Sequence, residues 1–420
     1  MRIVVLPGDG IGPEISAAAV EVLGLVNRDL GLGLEFETHE IGLVRLKTGG
    51  TTFPAAVLER CRAADGLLLG PVSHSDYPGR AEGGINVSAE LRIALDLYVN
   101  IRPSRSRDGL AHYGRTPMDL VIVRENTEGF YADRNMHLGS GEFMPTPDLA
   151  LSVRKITAAG SRRIAAAAFE LAGSRRRKVT AVHKRNVLKV SEGLFLREVR
   201  KLAREHPDVA YEEQLIDSTA ALLVRDARRF DVIVTTNMFG DILSDEAAEL
   251  SGSLGLAGSI NAGDAHCMAQ AQHGSAPDIA GRDLANPVSL VLSAAMLLDW
   301  MGRRRDDRRF ARAADTIDRS VDALLKDPAT RTADLGGKLG TKAFTAAALG
   351  GVAGMVEALE DTKPANTTEA VEALFEVLAR HVGRVKSKKG SKLRGRPGRS
   401  RQPKNPACSG EPPDSPDEAK

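Results

Sequence analysis

Two aspartates four residues apart, Asp241 and Asp245, stand in the run FGDILSD (239–245), after an apolar stretch and the polar break Thr235-Thr236-Asn237. The pattern predicts a buried strand followed by a helix opening at 241–250. Residues four apart on a helix share a face, so both carboxylates project to one point near the helix start. Two like charges held together need a cation, a deep pKa shift or bulk water. The first option is a divalent-metal site. Asp217, at the end of the strand-like segment 209–216, is a third acid of the same kind.

Cationic and proton-moving groups lie on other elements. Arg92 falls on a predicted helix (88–95), Arg102 follows the strand-like 97–101, and Arg124 ends the apolar run 120–123. Guanidinium groups grip carboxylates through paired, planar hydrogen bonds, so arginines converging on one pocket suit a di- or tricarboxylate. Spacing alone leaves each of them equally open to a surface ion pair. Tyr131 and Lys184 each follow an apolar segment and could move a proton if a nearby cation lowered their pKa, though such residues are commonly structural.

Two glycine-rich loops complete the candidates. The first, LPGDGIGPE (6–14), has G-x-G-x-G spacing and no acid closing the second strand, which argues against a Rossmann dinucleotide fold. It reads as a tight turn or a phosphate cradle. The second, HGSAPDIAG (273–281), precedes Asn286-Pro287 and an apolar helix, 288–300. Its small residues allow close approach of an adenosine, and Asp278 could accept from both ribose hydroxyls while repelling a 2′-phosphate. By residue type alone, an exposed loop whose Asp278 only caps a turn is the stronger reading.

The elements that must hold these residues alternate along the chain. Buried-strand patterns at 3–6, 120–123, 179–182 and 232–234, an alternating strand at 34–40 and a strand-like segment at 66–69 are separated by helical stretches at 13–30, 54–64, 88–95, 157–172 and 188–206. That rhythm implies an α/β architecture with a largely parallel sheet covered on both sides. At 420 residues the chain exceeds what one core usually supports, so two domains are expected. No run of about 18 apolar residues is present, which argues against a membrane span. The N-terminus runs straight into the first glycine loop instead of a signal peptide. The cysteines, Cys61, Cys267 and Cys408, are scattered, which fits a reducing cytoplasm. Net charge is +2, but 385–420 hold ten Lys/Arg against four Asp/Glu, a balance of +6 that leaves −4 on the rest. That tail is rich in Pro, Gly and Ser and is expected to be disordered. It lacks the interleaved aromatics of a nucleic-acid binder, so a nucleic-acid role is not expected of it.

Taken in order, seven stretches carry a resemblance: 6–14 (LPGDGIGPE), 95–103 (LDLYVNIRP), 123–131 (VRENTEGFY), 182–189 (VHKRNVLK), 239–245, 273–281 and 331–337 (RTADLGG). Together they make the chain similar, over about residues 1–360, to the β-decarboxylating dehydrogenases. These are the isocitrate, 3-isopropylmalate, homoisocitrate, tartrate and D-malate dehydrogenases. The resemblance implies a two-domain isopropylmalate dehydrogenase-like α/β fold, non-Rossmann, with parallel and mixed sheets. A cofactor-binding domain would combine 1–99 with 252–384, and 100–251 would form the substrate and dimerisation domain. It also implies a homodimer with shared active sites. By motif position Arg92, Arg102 and Arg124 would hold the carboxylates of a hydroxy-di- or tricarboxylate. Asp241 and Asp245, with Asp217 of the other subunit, would hold Mg²⁺ or Mn²⁺. Lys184, also from the other subunit, would assist deprotonation, and Tyr131 would protonate the enol. His273, Gly274, Ser275, Ala276, Pro277, Asp278, Ile279 and Asn286 would bind the dinucleotide, with the acid at 278 favouring NAD.

The sequence departs from the family's pattern in two places. Ala269-Gln270-Ala271-Gln272 stands where an acid in a Phe-Glu-Pro context is usual. The substrate-selecting segment 83–90 (GGINVSAE) has Ile85 and Ser88-Ala89 where the isopropylmalate type has Glu and Leu-Leu. It has Asn86 and Ser88 where the isocitrate type has Ser and Asn. Asn86 and Ser88 are thus expected to read the substituent on the malate core. The expected reaction is NAD-linked, metal-dependent oxidative decarboxylation of a 3-substituted malate, of isopropylmalate or isocitrate type. Tartrate, D-malate or homoisocitrate oxidation is the alternative, and a non-catalytic regulatory paralogue is the rival from another class.

Overall fold

The computed structural model describes residues 1–131 and 135–361. Met1–Asp361 form one compact unit. The expected tail, 385–420, and the end of the first expected domain, 362–384, lie outside the described residues.

In chain order, β1 (Arg2–Leu6) leads into α1 (Gly12–Leu30), then β2 (Glu35–Thr38), α2 (Gly42–Gly49), α3 (Ala55–Arg62), β3 (Gly66–Leu69) and α4 (Val87–Ala94). Next come β4 (Val99–Arg105), β5 (Asp119–Glu125), a hairpin of β6 (Glu142–Thr146) and β7 (Leu149–Ser152), α5 (Ala158–Gly173), β8 (Lys178–His183), α6 (Ser191–Glu205), β9 (Ala210–Leu215) and α7 (Ile216–Asp226). The described chain continues through β10 (Val232–Thr235), α8 (Asn237–Ser251), β11 (Ile260–Ala262), β12 (Cys267–Gln270), α9 (Val288–Arg305), α10 (Arg308–Lys326) and α11 (Thr341–Asp361). Local chemistry sets the ends: Thr157 caps α5 by accepting from Gly160 N at 3.0 Å, and Gly31 ends α1 in the left-handed region at φ 61°.

Among the described residues one ten-stranded sheet runs β2-β1-β3-β12-β11-β4-β5-β10-β8-β9. Its outer blocks are parallel, as the continuous apolar runs imply. The centre is antiparallel: β12 to β11, β11 to β4, and β4 to β5. That mixed centre matters, because it sets Asn100 opposite Arg124 and Arg102 opposite Ile122. Residues directly opposite in such a pair share a face, as do residues two apart on one strand, so Arg102 and Arg124 emerge together. The other face of β5 presents Val121 and Val123 to the core built with Ile164 and Ala168 of α5. Leu120 and Ile122 turn to Leu243 and Ala247 of α8.

Two expectations needed correction. The helix carrying the aspartates begins at Asn237, one turn before 241, because Thr236 is the extended N-cap residue and Thr235 still belongs to β10. Asp217 is not a strand end; β9 stops at Leu215, and Asp217 sits in the first turn of α7. The β6–β7 hairpin, helix α2 and helix α10 were not legible in the strand–helix rhythm. Among the described residues no helix is long and apolar enough to cross a membrane.

Candidate active site

The site grows from the face shared by β4, β5 and α8. Asn237, Asp241, Ser244 and Asp245 lie along one stripe of α8, which packs on both strands. Gly240 makes that packing possible: a Cβ there would come within 2.7 Å of Arg124 Cβ and Cγ. Arg124 is 1 % exposed, donates from Nε to Asn237 Oδ1 at 2.8 Å, and pairs through Nη1 with Asp241 Oδ1. Its Nη2 donates to the Tyr131 hydroxyl at 2.6 Å, and that hydroxyl donates to Asp241 Oδ2 at 2.8 Å. Arg102 Nη1 donates to Asp241 Oδ1 at 3.2 Å, Ser244 Oγ at 2.7 Å and Asp245 Oδ1 at 3.0 Å.

The two carboxylates are therefore neutralised from the sheet. Burial alone would raise the Asp241 pKa; the charges of Arg124 and Arg102 outweigh it and hold that carboxyl below its usual range. Burial, together with the Arg124 charge, pushes Arg102 down to about 10. Burial raises Tyr131 in spite of Arg124, so its hydroxyl keeps its proton at neutral pH.

This cluster borders a cavity of about 690 Å³ lined by Arg92, Arg102, Arg124, Tyr131 and Asp241. Asn86, Ser88, Gln270, Gln272, His273 and Gly274 line it too. Sequence spacing could not show that Arg92, Arg102 and Arg124 converge; the cavity does. Asn86 caps α4, accepting from Ala89 N at 3.2 Å. Ser88 Oγ and Arg92 Nη2 both donate to Gln270 Oε1, at 3.1 and 3.3 Å.

The two glycine loops meet beside this cavity. Ile11 N donates to Ser275 O at 2.8 Å, Ser275 Oγ lies 2.7 Å from Ser73 Oγ, and a Cβ on Gly10 would stand 1.9 Å from Ser275 O. The first loop is thus a buttress for the second. Its Asp9 accepts from Leu43 N at 2.7 Å, Ser73 N at 3.0 Å and the Tyr77 hydroxyl at 2.5 Å, tying three segments together. Ala276 holds a positive φ of 37°, uncommon for a residue with a side chain and found where surroundings enforce it. Burial lowers the His273 pKa, and its Nε2 is buried without a protein partner among the described residues. Gly274 and Pro277 are exposed, Asp278 projects its carboxylate to solvent, and Ile279 packs half-buried against the core. Asn286 behaves differently from its loop neighbours. Its Nδ2 donates to Asp334 at 2.9 Å and its Oδ1 accepts from Val288 N at 3.0 Å, so both ends of the amide serve the scaffold.

Lys184 and Asp217 lie elsewhere. Lys184 Nζ donates to Asp217 Oδ1 at 2.6 Å, that bond lowers the Asp217 pKa, and neither residue lines the cavity. The pair is braced from behind. Glu192, fully buried, accepts from Lys184 N at 3.2 Å and pairs with Arg154. The Arg154 guanidinium lies 5.5 Å from the Phe130 ring and 5.3 Å from the Phe239 ring, one residue before Tyr131 and two before Asp241 in sequence. Among the described residues no group of three or more His, Cys, Asp or Glu could hold a metal, so Asp217 does not join Asp241 and Asp245 within one chain.

Sequence reasoning gave no role to Asn237, Ser244, Gln272, Asp9 or Arg154. Ser244 was findable from helical periodicity with Asp241; Asn237 lay outside the helix expected to open at 241, and the others depend on contacts distant in sequence. The donor chemistry fits a hard divalent cation: Asp241 and Asp245 offer carboxylate oxygen only, and their side chains are 39 % and 50 % exposed. The orphaned Nε2 of His273 and the buttressed loop fit a dinucleotide in the same way.

The isocitrate/isopropylmalate dehydrogenase family model matches residues 2–348. The isocitrate/homoisocitrate dehydrogenase of Thermus thermophilus is 41 % identical over 347 residues, covering 82 % of this chain and 97 % of that protein. The 3-isopropylmalate dehydrogenase of Methanothermobacter thermautotrophicus is 40 % identical with the same coverage of each, 82 % and 97 %. The crystal structure of isocitrate dehydrogenase from Methylococcus capsulatus superposes with a TM-score of 0.74 at 38 % identity, covering 84 % of this chain and 99 % of that one. With sheet, cavity and motifs in agreement, the chain belongs to the isocitrate/isopropylmalate dehydrogenase family.

Proposed function

We propose that the chain is an NAD-linked, divalent-metal-dependent dehydrogenase that oxidises and decarboxylates a 3-substituted malate of isopropylmalate or isocitrate type. It would act in the cytoplasm as a homodimer with shared active sites. The observation that carries this reading is the convergence of Arg92, Arg102 and Arg124 with Tyr131 and Asp241 on one cavity. In this reading 1–99 with 252–384 form the cofactor-binding lobe and 100–251 the substrate lobe.

The arginines bind the substrate carboxylates through paired hydrogen bonds and set the C2 carbon toward the dinucleotide loop. Asp241, Asp245 and a second copy's Asp217 hold Mg²⁺ or Mn²⁺. When bound, the cation supplies positive charge beside the C2 oxygen, and NAD supplies the hydride acceptor. Lys184 of the second copy takes the C2 hydroxyl proton as the C2–H hydride departs. The C3–carboxylate bond of the resulting 2-oxo acid then breaks, releasing CO₂ and leaving its electron pair in an enolate. Tyr131, still protonated, returns a proton to C3. His273 to Ile279 hold the adenosine, with Asp278 accepting from ribose hydroxyls and disfavouring a 2′-phosphate.

The dimer is supported by apolar side chains left in solvent on the described chain. Leu138 is 88 % exposed, Val190 88 % and Val187 65 %, and the β6–β7 hairpin exposes Phe143, Met144 and Leu151.

NADH formation with Mg²⁺ should be measured across isopropylmalate, isocitrate, homoisocitrate, tartrate and D-malate. Turnover with one of them is expected. No turnover with any, while NAD still binds, would overturn the catalytic reading in favour of a regulatory paralogue. Asp278→Lys is expected to shift the NAD/NADP preference toward NADP by roughly 10-fold or more, the scale of one charge-assisted hydrogen bond. An unchanged ratio would remove Asp278 from that role.

A further inference from the structure

Gln272 follows Gln270 by two residues past the end of β12, keeps the strand's alternation, and lines the same cavity. Its Nε2 donates to Ser244 O at 3.1 Å and to Asp245 Oδ1 at 2.9 Å. A backbone carbonyl only accepts, so the amide nitrogen must face α8, and the opposite atom, Oε1, is left buried without a partner. A buried orphan acceptor is a destabilising feature, and a methyl or thioether group in its place would remove it. The chain keeps it. What the amide contributes in return is a second donor on Asp245 Oδ1, beside Arg102 Nη1 at 3.0 Å. Asp245 Oδ2 takes no hydrogen bond among the described residues.

We infer that Gln272 is a positioning residue for Asp245: with Arg102 it fixes Oδ1 and leaves Oδ2 as the oxygen available to a divalent cation. The inference rests on the reading of Asp245 as a cation ligand. Hydrogen bonds to the outer oxygen of a ligating carboxylate set its orientation, and their loss typically weakens metal binding about 10- to 100-fold. Gln272 also joins α8 to the segment leading into the dinucleotide loop, so the carboxylate's orientation is tied to that loop.

The test measures Mn²⁺ binding to the full-length protein, without substrate, by the electron paramagnetic resonance of the free ion, alongside thermal melting. Gln272→Met keeps side-chain length while removing donor and orphan acceptor; Gln272→Val shortens the side chain as well. Both are expected to raise the Mn²⁺ Kd by about 10-fold or more with a melting temperature equal to or above the parent's. A purely structural side chain cannot give weaker metal binding together with unimpaired stability. A Kd within twofold of the parent in either variant overturns the inference, and so does a lowered melting temperature in both. Asp245→Asn separates the two levels of the argument. Mn²⁺ binding should fall further in this variant, whereas parental binding would overturn the cation reading of the site itself.

Discussion

Asp241, a candidate cation ligand, and Lys184, a candidate base, lie on one chain, and their surroundings differ in kind. Asp241 is enclosed by Arg102, Arg124 and Tyr131, each on a different segment and all facing a cavity. The Lys184 ammonium meets the exposed Asp217 at the surface, while its backbone is braced by a buried Glu192–Arg154 pair. A solvent-exposed ion pair contributes little to stability. In the proposed homodimer Lys184 and Asp217 would serve a site on a second copy, and the two regions would be halves of one site.

The largest break of this comparison is Asp241→Asn, which should lower turnover by at least roughly 10³-fold with the fold intact, the scale of several kcal/mol of lost charge stabilisation. Near-parental activity would remove Asp241 from the chemistry. Lys184→Met should cost roughly 10²- to 10⁴-fold in kcat through loss of proton transfer, with KM little changed. A pure KM effect would reassign it to binding. Arg154→Met leaves Glu192 buried and uncompensated, so about 3–5 kcal/mol of stability should be lost in thermal or urea unfolding. A smaller response comes from Val190→Asp on the outward face, where sedimentation should show the mass moving toward a single chain. Unchanged mass would place any dimer contact elsewhere. The smallest effect on stability belongs to Asp217→Asn, which breaks only an exposed ion pair and should leave the melting temperature where it was.

The two halves were unequally legible in the sequence. The spacing of Asp241 and Asp245 announced two carboxylates on one helical face, and the buried strands announced the parallel blocks. What neutralises those carboxylates was hidden, because Arg102 and Arg124 reach them through the antiparallel register of β4 and β5. Apolar runs carry no record of which strands pair or in which direction. Asn237 was visible only as part of a polar break, though its amide holds Arg124 in place. The separation of Lys184 from Asp241 followed only from the family resemblance; the residues themselves did not carry it, because proximity across a chain of this length depends on the whole sheet order. Gln272 stood out only as a departure from a family pattern, and its contact with Asp245 gives that departure a physical meaning.

The shared site is tested most directly by mixing two inactive proteins, one carrying Tyr131→Phe and the other Lys184→Met. In a mixed dimer with shared sites, one site inherits both substitutions and the other neither. Random reassociation should therefore restore about a quarter of the parental turnover. Activity no higher than that of either variant alone, in a sample shown to contain mixed dimers, would contradict the account.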